Sequence, residues 1–261
     1  MKKFYNNIKE VCSFVILIAI LLIGNGCTNN NQATEQFSGA DSRKLLSFEE
    51  LTTAKRYESL NDALKSKNDV YKLILFNKGL DQLPSKIDKL VNLNSLELTR
   101  NNLSTLPKSI VKLQYIQSLY LSENQFVNWP IEIFLIKNLK RLNLSDNKLV
   151  DIPDGITNLE SLTELKLKNT SLKNINPKVY KLKQLKVLHL SKNHLDEISS
   201  GIRLLKNLEK LDLSHNQLRE LPTEITELKK LKSLELEGNF FTKDYVDNTL
   251  KILLPNTKIR Y

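Results

Sequence analysis

Apolar residues recur along most of the chain with a fixed period of 23 residues. The units begin, without insertion or deletion, at Val70, Leu93, Ile116, Leu139, Leu162, Leu185, Leu208 and Leu231. In the seven complete units, positions 1, 4, 6, 11, 14, 18 and 21 are Leu, Ile, Val, Phe or Trp in all 49 cases. Fixed self-similarity at a period of about 20 to 50 residues is the signature of a solenoid.

Three columns of the unit predict its local structure. The apolar residues at positions 4 and 6 alternate with variable ones, as in a strand. Position 9 is Asn in six units, where a buried amide can bond the backbone of adjacent coils. Lys78 and Thr170 replace it, and we expect a local weak point at Thr170. Proline opens a segment after the strand in five units, whereas Asn176 and Ser199 interrupt that column.

From Val70 to Phe240 the pattern is LxxLxLxxNxLxxLPxxIxxLxx, which resembles that of leucine-rich-repeat proteins. The helical leader and the helix ending in Leu-Pro resemble the flanks of bacterial, spirochaete-type lipoproteins of this family. The resemblance implies an α/β solenoid, a horseshoe with a parallel β-sheet on the concave face. Short helical or 3₁₀ segments form the convex face, and helical caps cover both ends.

The first 26 residues have the features of a lipoprotein-type signal peptide. Basic residues precede a largely apolar stretch from Val11 to Ile23, too short for a membrane span of about 20 residues. Gly26 and Cys27 follow and resemble a relaxed lipobox, in which Cys27 is lipidated. Gly24 stands where the usual lipobox has Leu. The alternatives are an ordinary cleaved signal with an incidental cysteine and an uncleaved anchor.

The rest of the chain divides into four further segments. Residues 27–46 are expected to form a flexible tether, because residues 28–42 are polar and contain almost no large apolar side chain. Residues 47–69 are expected to form a helical N-cap, in which Ser47 and Glu50 resemble a capping box. Residues 70–240 hold eight repeats, and residues 241–261 a C-cap helix and strand. Cys12 and Cys27 are the only cysteines, so the repeats contain no disulfide.

The chain is basic, with a formal net charge of +10 from 39 basic and 29 acidic residues. Such a balance suits an acidic protein partner, a polyanionic glycan or an anionic surface. The alternative is a solvated lysine-rich surface without a specific partner. Nucleic acid is not expected, because the chain is predicted to be exported and lacks base-stacking aromatic residues.

Function in solenoids usually lies on the concave surface. There the central three repeats concentrate cations around the middle column of the strands, and a bound anion would relieve their repulsion. Amphipathic Tyr120 and His189 complete a candidate binding surface. The alternative interpretation is that the lysines only keep an exposed sheet soluble. Its residues are Tyr120, Lys140, Arg141, Asn143, Lys166, Lys168, Lys186, His189, Lys192 and Asp212.

A catalytic interpretation of the same face is weak. His189 and Asp212 are neighbours in the middle column, and Ser191 and Ser214 lie two residues further along, a grouping like a nucleophilic triad. An open sheet, however, offers neither an oxyanion hole nor a pocket that excludes water. We therefore expect no catalytic residue, cofactor, metal or small-molecule substrate.

These observations lead to one expectation and one rival. The expectation is a non-enzymatic, membrane-anchored lipoprotein of the bacterial cell envelope, presented at the outer surface. Its sheet would bind a protein ligand of the host or extracellular medium, as the resemblance implies. The rival is adhesion to an acidic glycan or cell-wall polymer through the basic concave patch.

Overall fold

A computed structural model describes residues 44–261, within one compact unit of residues 41–261. The predicted signal peptide, the lipidation site Cys27 and all but the end of the predicted tether lie outside the described residues. Among the helices that are described, none has the length and apolar character needed to cross a membrane.

One parallel sheet of ten strands runs through this unit, with strand order equal to chain order. Each neighbouring pair from β2 to β9 is in register at a spacing of one repeat, as in the pairing of Leu73 with Leu96. The 23-residue period therefore becomes the hydrogen-bonding register. The strands are β1 Arg56–Tyr57, β2 Lys72–Ile74, β3 Ser95–Glu97, β4 Ser118–Tyr120, β5 Arg141–Asn143, β6 Glu164–Lys166, β7 Val187–His189, β8 Lys210–Asp212, β9 Ser233–Glu235 and β10 Lys258–Arg260.

The return half of each coil carries a short 3₁₀ helix. These helices span Ser85–Lys89, Lys108–Lys112, Ile131–Leu135, Asp154–Asn158, Pro177–Lys181, Ser200–Leu204 and Thr223–Glu227. Proline precedes five of them. Where it is missing, Asn176 and Ser199 take its place as side-chain caps and accept hydrogen bonds from the Lys178 and Gly201 amides. The two interruptions of the proline column thus keep the same element by another means.

The apolar columns form a continuous core between the sheet and the 3₁₀ helices. Of the 49 predicted core positions, only Leu80 and Ile175 are partly exposed, and all others are buried. Burying one such side chain contributes roughly 1.5–3 kcal/mol. The leucine-rich-repeat solenoid predicted from the pattern is confirmed.

The asparagine column forms the expected ladder. Asn124, for example, donates from Nδ2 to the Leu98 and Leu121 carbonyls and accepts from the Leu103 amide at 2.9 Å. The same pattern recurs at Asn101, Asn147, Asn193, Asn216 and Asn239. Each side chain therefore joins two coils.

The ladder is interrupted at Thr170. Its hydroxyl reaches the Leu167 carbonyl at 2.9 Å and the Asn193 carboxamide oxygen, but it does not reach back to the preceding coil. As a result, the buried Leu149 amide has no hydrogen-bond acceptor among the described residues. The weak point expected at Thr170 therefore corresponds to missing hydrogen bonds between repeats four and five.

A left-handed residue follows every repeat strand. Position 8 has φ between 51° and 70° in all eight repeats, yet only the last of these residues is a glycine. They are Asn77, Arg100, Glu123, Asp146, Asn169, Lys192, His215 and Gly238. Two repeats have a second left-handed residue two positions later, Gly79 and Ser171, and these are the repeats that lack Asn at position 9. The loss of the amide is thus accompanied by a different turn.

The N-terminal region contains more than helices. Helix α1 (Phe48–Thr53) begins at the predicted capping box, in which Ser47 and Glu50 bond each other's backbone. Strand β1 follows and pairs with β2, and helix α2 (Leu60–Lys65) buries Ala63 in the end of the core. Strand β1 and helix α2 therefore cover the first coil, whereas helix α1 is not part of this cover.

The C-terminal end of the array closes with a helical run and a strand. The helical run consists of an α-turn Lys243–Tyr245, a π-segment Val246–Leu250 and an α-turn Lys251–Leu253. Val246 and Leu250 are buried against the last coil. Strand β10 then pairs with β9 and ends the sheet.

Candidate functional site

The ten predicted binding residues lie along one face of the sheet, which we name the sheet-face strip. Six of them stand on strands β4 to β8 and are half-buried: Tyr120, Arg141, Asn143, Lys166, His189 and Asp212. Lys140 and Lys186 precede their strands, whereas Lys168 and Lys192 follow them, and all four are exposed. Adjacent strands lie about 4.8 Å apart, so the strip spans about 20 Å across the sheet.

Two of the six cations in the strip share one ion-pair partner. Glu164, on β6, lies between two of them, with Arg141 Nε at 3.6 Å and Lys166 Nζ at 2.6 Å. Lys140 Nζ donates to the Gln117 side chain at 2.7 Å. Lys140, Lys168, Lys186 and Lys192 have no ion pair among the described residues, and the last three have no side-chain hydrogen bond there either. The strip is therefore a mixed polar surface with four lysines that lack an ion pair.

Two hydrogen bonds to residues outside the strip hold the Asn143 side chain in place. Asn143 accepts from the Ser145 amide at 3.0 Å and donates to the Ser122 hydroxyl at 3.2 Å. The side chain is thus fixed by its own coil and by the preceding coil. Such prior fixing lowers the conformational entropy that binding would cost.

His189 and Asp212 face each other on adjacent strands, with Nδ1 and Oδ2 3.8 Å apart. Burial lowers the pKa of His189, and the Asp212 carboxylate offsets part of that effect. The Ser214 hydroxyl donates to Asp212 at 2.7 Å, not to the histidine. The Leu190 and Lys192 amides bond the next strand, so neither is available to an oxyanion. The triad-like grouping does not have the geometry of a nucleophilic site.

The expectation of a uniformly open sheet is wrong at repeats one to four, because α1 lies over that part of the face. Asn94 bonds the backbone of Lys44 and Leu46, and Gln117 donates to the Leu46 carbonyl at 2.7 Å. Both of these side chains are buried. Further along, Arg141 lies over the Phe48 ring at 4.4 Å. These contacts fix α1 as a wall beside the strip.

A cleft of about 140 Å³ separates α1 from the strands. It is lined by Phe48 and Leu51 of the helix and by Ile74, Glu97, Tyr120 and Arg141 of the sheet, among others. Tyr120 and Arg141 were in the predicted set, whereas the others were not. Ile74 and Glu97 stand in the middle column of the strands, so the pattern could have identified these two as lining residues. Nothing in the pattern indicates Phe48 or Leu51.

A second depression on the described surface is less suited to an apolar ligand. It measures about 510 Å³ between the loops of repeats six and seven, and Asp196, Glu197 and Glu220 line it with Arg219. Its lining is more polar than that of the cleft. The described residues contain no group of three His, Cys, Asp or Glu side chains that could hold a metal ion.

Comparison with known families decides the classification of the chain. The model of a leucine-rich-repeat region matches residues 77–189, and a second leucine-rich-repeat model matches residues 183–241. Together these matches span most of the array. The chain belongs to the leucine-rich-repeat family. Among curated proteins, the search found no match to this leucine-rich-repeat chain.

Solved structures agree with that classification. A leucine-rich-repeat protein of Leptospira interrogans is 32% identical, with a TM-score of 0.66 over 79% of this chain and 58% of that one. An internalin of Listeria monocytogenes is 23% identical and shows the fold alone, with a TM-score of 0.66 over 78% of this chain and 57% of its own. This leucine-rich-repeat protein therefore spans less than two thirds of either structure.

A plant structure adds a relative with a bound partner. The leucine-rich-repeat ectodomain of an Arabidopsis thaliana receptor kinase is 32% identical, with a TM-score of 0.60 over 68% of this chain and 23% of that one. That structure is a complex with Casparian strip integrity factor 2. Leucine-rich-repeat solenoids use their extended sheet surface as a binding scaffold.

Proposed function

We propose that this protein is an exported, lipid-anchored protein of the bacterial cell envelope that binds a protein partner through the sheet-face strip. The observation that carries the proposal is a strip of half-buried polar side chains, held by strand register and bordered by α1. A partner would meet prearranged groups across about 20 Å of sheet. The partner belongs to the host or the extracellular medium.

The composition of the strip favours a protein surface over a uniform polymer. It combines an aromatic ring, an amide, both charge signs and an ion-paired centre at Glu164. Protein interfaces are similarly mixed, with aromatic and arginine side chains as the main contributors to affinity. The proposed partner is accordingly a folded protein or peptide with acidic residues opposite Lys168, Lys186 and Lys192.

Site-specific photo-crosslinking on intact cells tests this function. A benzophenone side chain is placed at Lys168, in the strip, and in a matched variant at Lys108, an exposed residue on the 3₁₀ side. We expect a discrete protein adduct from position 168 and none from position 108, when cells are exposed to host or culture proteins. The same adducts from both positions, or none from position 168, would contradict the proposal.

Metabolic labelling with a fatty acid tests the anchor. The full chain should carry the label, and Cys27→Ser should not. Lipidation with more than one acyl chain holds a protein firmly at a membrane. An unlabelled wild-type chain would remove the lipid anchor from the proposal and leave a secreted or periplasmic binding protein.

Binding to an acidic glycan is the second candidate, and the four strip lysines without an ion pair favour it. Salt separates the two functions, since screening abolishes attraction between exposed charges but only weakens a packed protein interface. If the glycan function holds, array binding at low salt should disappear near 0.5 M salt and in a Lys168→Glu, Lys186→Glu, Lys192→Glu variant. Absence of glycan binding even at low salt would rule this candidate out.

A further inference from the structure

We infer that the cleft between α1 and the sheet binds a tyrosine side chain of the protein partner, next to an acidic residue of that partner. The inference deepens the proposed function and rests on it. The cleft measures about 140 Å³. An apolar cavity of about 150 Å³ holds one benzene molecule, so the space suits a single six-membered ring.

The walls of the cleft suit an aromatic ring. Phe48 is 63% exposed although it lies on a fixed helix, and Leu51 of the same helix is buried against the sheet. Ile74 and Tyr120 form the opposite side. Aromatic pairs stack with an offset or meet edge to face, and a guanidinium attracts the face of a ring. Arg141 already lies over the Phe48 ring at 4.4 Å, so it adds a cation to the aromatic and aliphatic side of a cleft that is open to solvent.

The polar groups of the cleft distinguish tyrosine from phenylalanine. The Ser95 hydroxyl has no hydrogen-bond partner among the described residues, and the Ser118 hydroxyl has only a long contact of 3.4 Å to Arg141. Glu97 accepts from the Thr99 amide through one oxygen and leaves the other available. A phenol hydroxyl would bond these groups, whereas a phenyl ring would displace their water without replacing it.

The charge at the rim specifies the neighbour of that tyrosine. Lys72, Glu97 and Arg141 line the cleft, and Arg141 is already paired with Glu164, so Lys72 is the cation of the lining that remains available to a partner. Lys72 has no ion pair within residues 44–261. An acidic residue beside the tyrosine would complement Lys72.

NMR titration of the compact unit of residues 41–261 tests the inference, with N-acetyl-tyrosinamide and N-acetyl-phenylalaninamide as probes. We expect saturable shifts at the Leu51, Ile74 and Glu97 amides. The tyrosine probe should bind about fivefold more tightly, which corresponds to about 1 kcal/mol for one hydrogen bond. N-acetyl-Asp-Tyr-amide should bind more tightly still at low salt, and Lys72→Ala should remove that gain.

Variants assign the binding to the cleft. Phe48→Ala should abolish the shifts, and Ser95→Ala should reduce the preference for the tyrosine probe over the phenylalanine probe. Ile74→Trp fills the cleft from the sheet side and should block binding without altering α1. The matched control is Phe240→Ala, which removes a second exposed ring that pairs with an arginine at the other end of the array, and it should change nothing.

Two results would overturn the inference: no saturable shift at the cleft, or unchanged binding in both Phe48→Ala and Ile74→Trp. Either would leave crosslinking from Lys168 intact, so the proposed function would survive. Conversely, probe binding in the cleft without any crosslinked protein would contradict the proposed function but not the inference about the cleft.

Discussion

The turns after the strands store conformational strain at single residues. A side chain in the left-handed region costs roughly 1–2 kcal/mol, which glycine avoids. Ser171 adopts φ 62° at a position where repeat one has Gly79 in the same conformation. Each of the other repeats has at most one such side chain, but repeat five has two, Asn169 and Ser171.

We expect Ser171→Gly to stabilise the protein by about 1 kcal/mol, because it relieves this strain. Equilibrium denaturation in urea measures the change. Ser104→Gly is the control, since Ser104 is exposed and lies outside the left-handed region, and it should be neutral or slightly destabilising. Equal effects of the two substitutions would contradict the assignment of strain.

His189 makes stability depend on pH. Because burial lowers its pKa in the folded state, the unfolded chain binds the proton more readily. Stability should fall as pH decreases through the unfolded value of 6.5 and level off below the folded pKa. Thermal unfolding between pH 8 and 5 measures this loss, and His189→Asn should reduce it. His194→Asn, at an exposed histidine beyond the strand, should retain the wild-type dependence.

Adjacent 3₁₀ helices pack through pairs that combine a large ring with a glycine. A Cβ at Gly155 would lie 2.6 Å from Phe134 of the preceding coil, and one at Gly201 would lie 2.6 Å from Tyr180. Between these two pairs, Thr157 stands at the repeat position of the ring and is smaller. In the next coil, Lys178 stands at the repeat position of the glycine. The glycines therefore make room for aromatic side chains of the neighbouring element.

Gly155→Ala should destabilise the protein by about 1–3 kcal/mol through overpacking. Phe134→Leu should reduce that cost, because it removes the ring that a Cβ at position 155 would meet. The two substitutions should therefore couple in a double-mutant cycle. Chemical denaturation of the four proteins measures the coupling energy. Additive effects would show that the ring and the glycine do not share the same space.

At the scale of the whole molecule, the interruption at Thr170 divides the array. Solenoid stability is approximately a sum of repeat and nearest-neighbour terms, so one weak interface affects how the array opens. The coils on either side keep their ladders through Asn147 and Asn193. Opening should therefore begin between repeats four and five.

Native-state hydrogen exchange tests this expectation within a single sample. The Leu149 amide should exchange faster than those of Leu103 and Phe126, which occupy the same position and bond Asn124 and Asn147 at 2.9 and 3.0 Å. All three residues are fully buried, so exposure alone predicts equal protection. Similar protection at the three amides would show that the missing bonds do not weaken the interface.

The sequence by itself determined the repeated part of this protein. Its 23-residue period specifies the core columns, the strand register and the asparagine ladder, because each repeat contacts its neighbours at a constant offset. Even the weak point at Thr170 follows from one departure in a column. The sheet-face strip follows as well, since strand alternation decides which residues face away from the core.

Only the tertiary structure decided what lies over that strip and how its charges pair. Asn94 and Gln117 bond Leu46 across separations of 48 and 71 residues, and no period in the sequence encodes such contacts. Likewise, Glu164 forms ion pairs with both Arg141 and Lys166, because the side-chain conformations bring the three groups together. Non-repeating contacts, which depend on three-dimensional packing, thus convert a predicted open sheet into a strip bordered by a cleft.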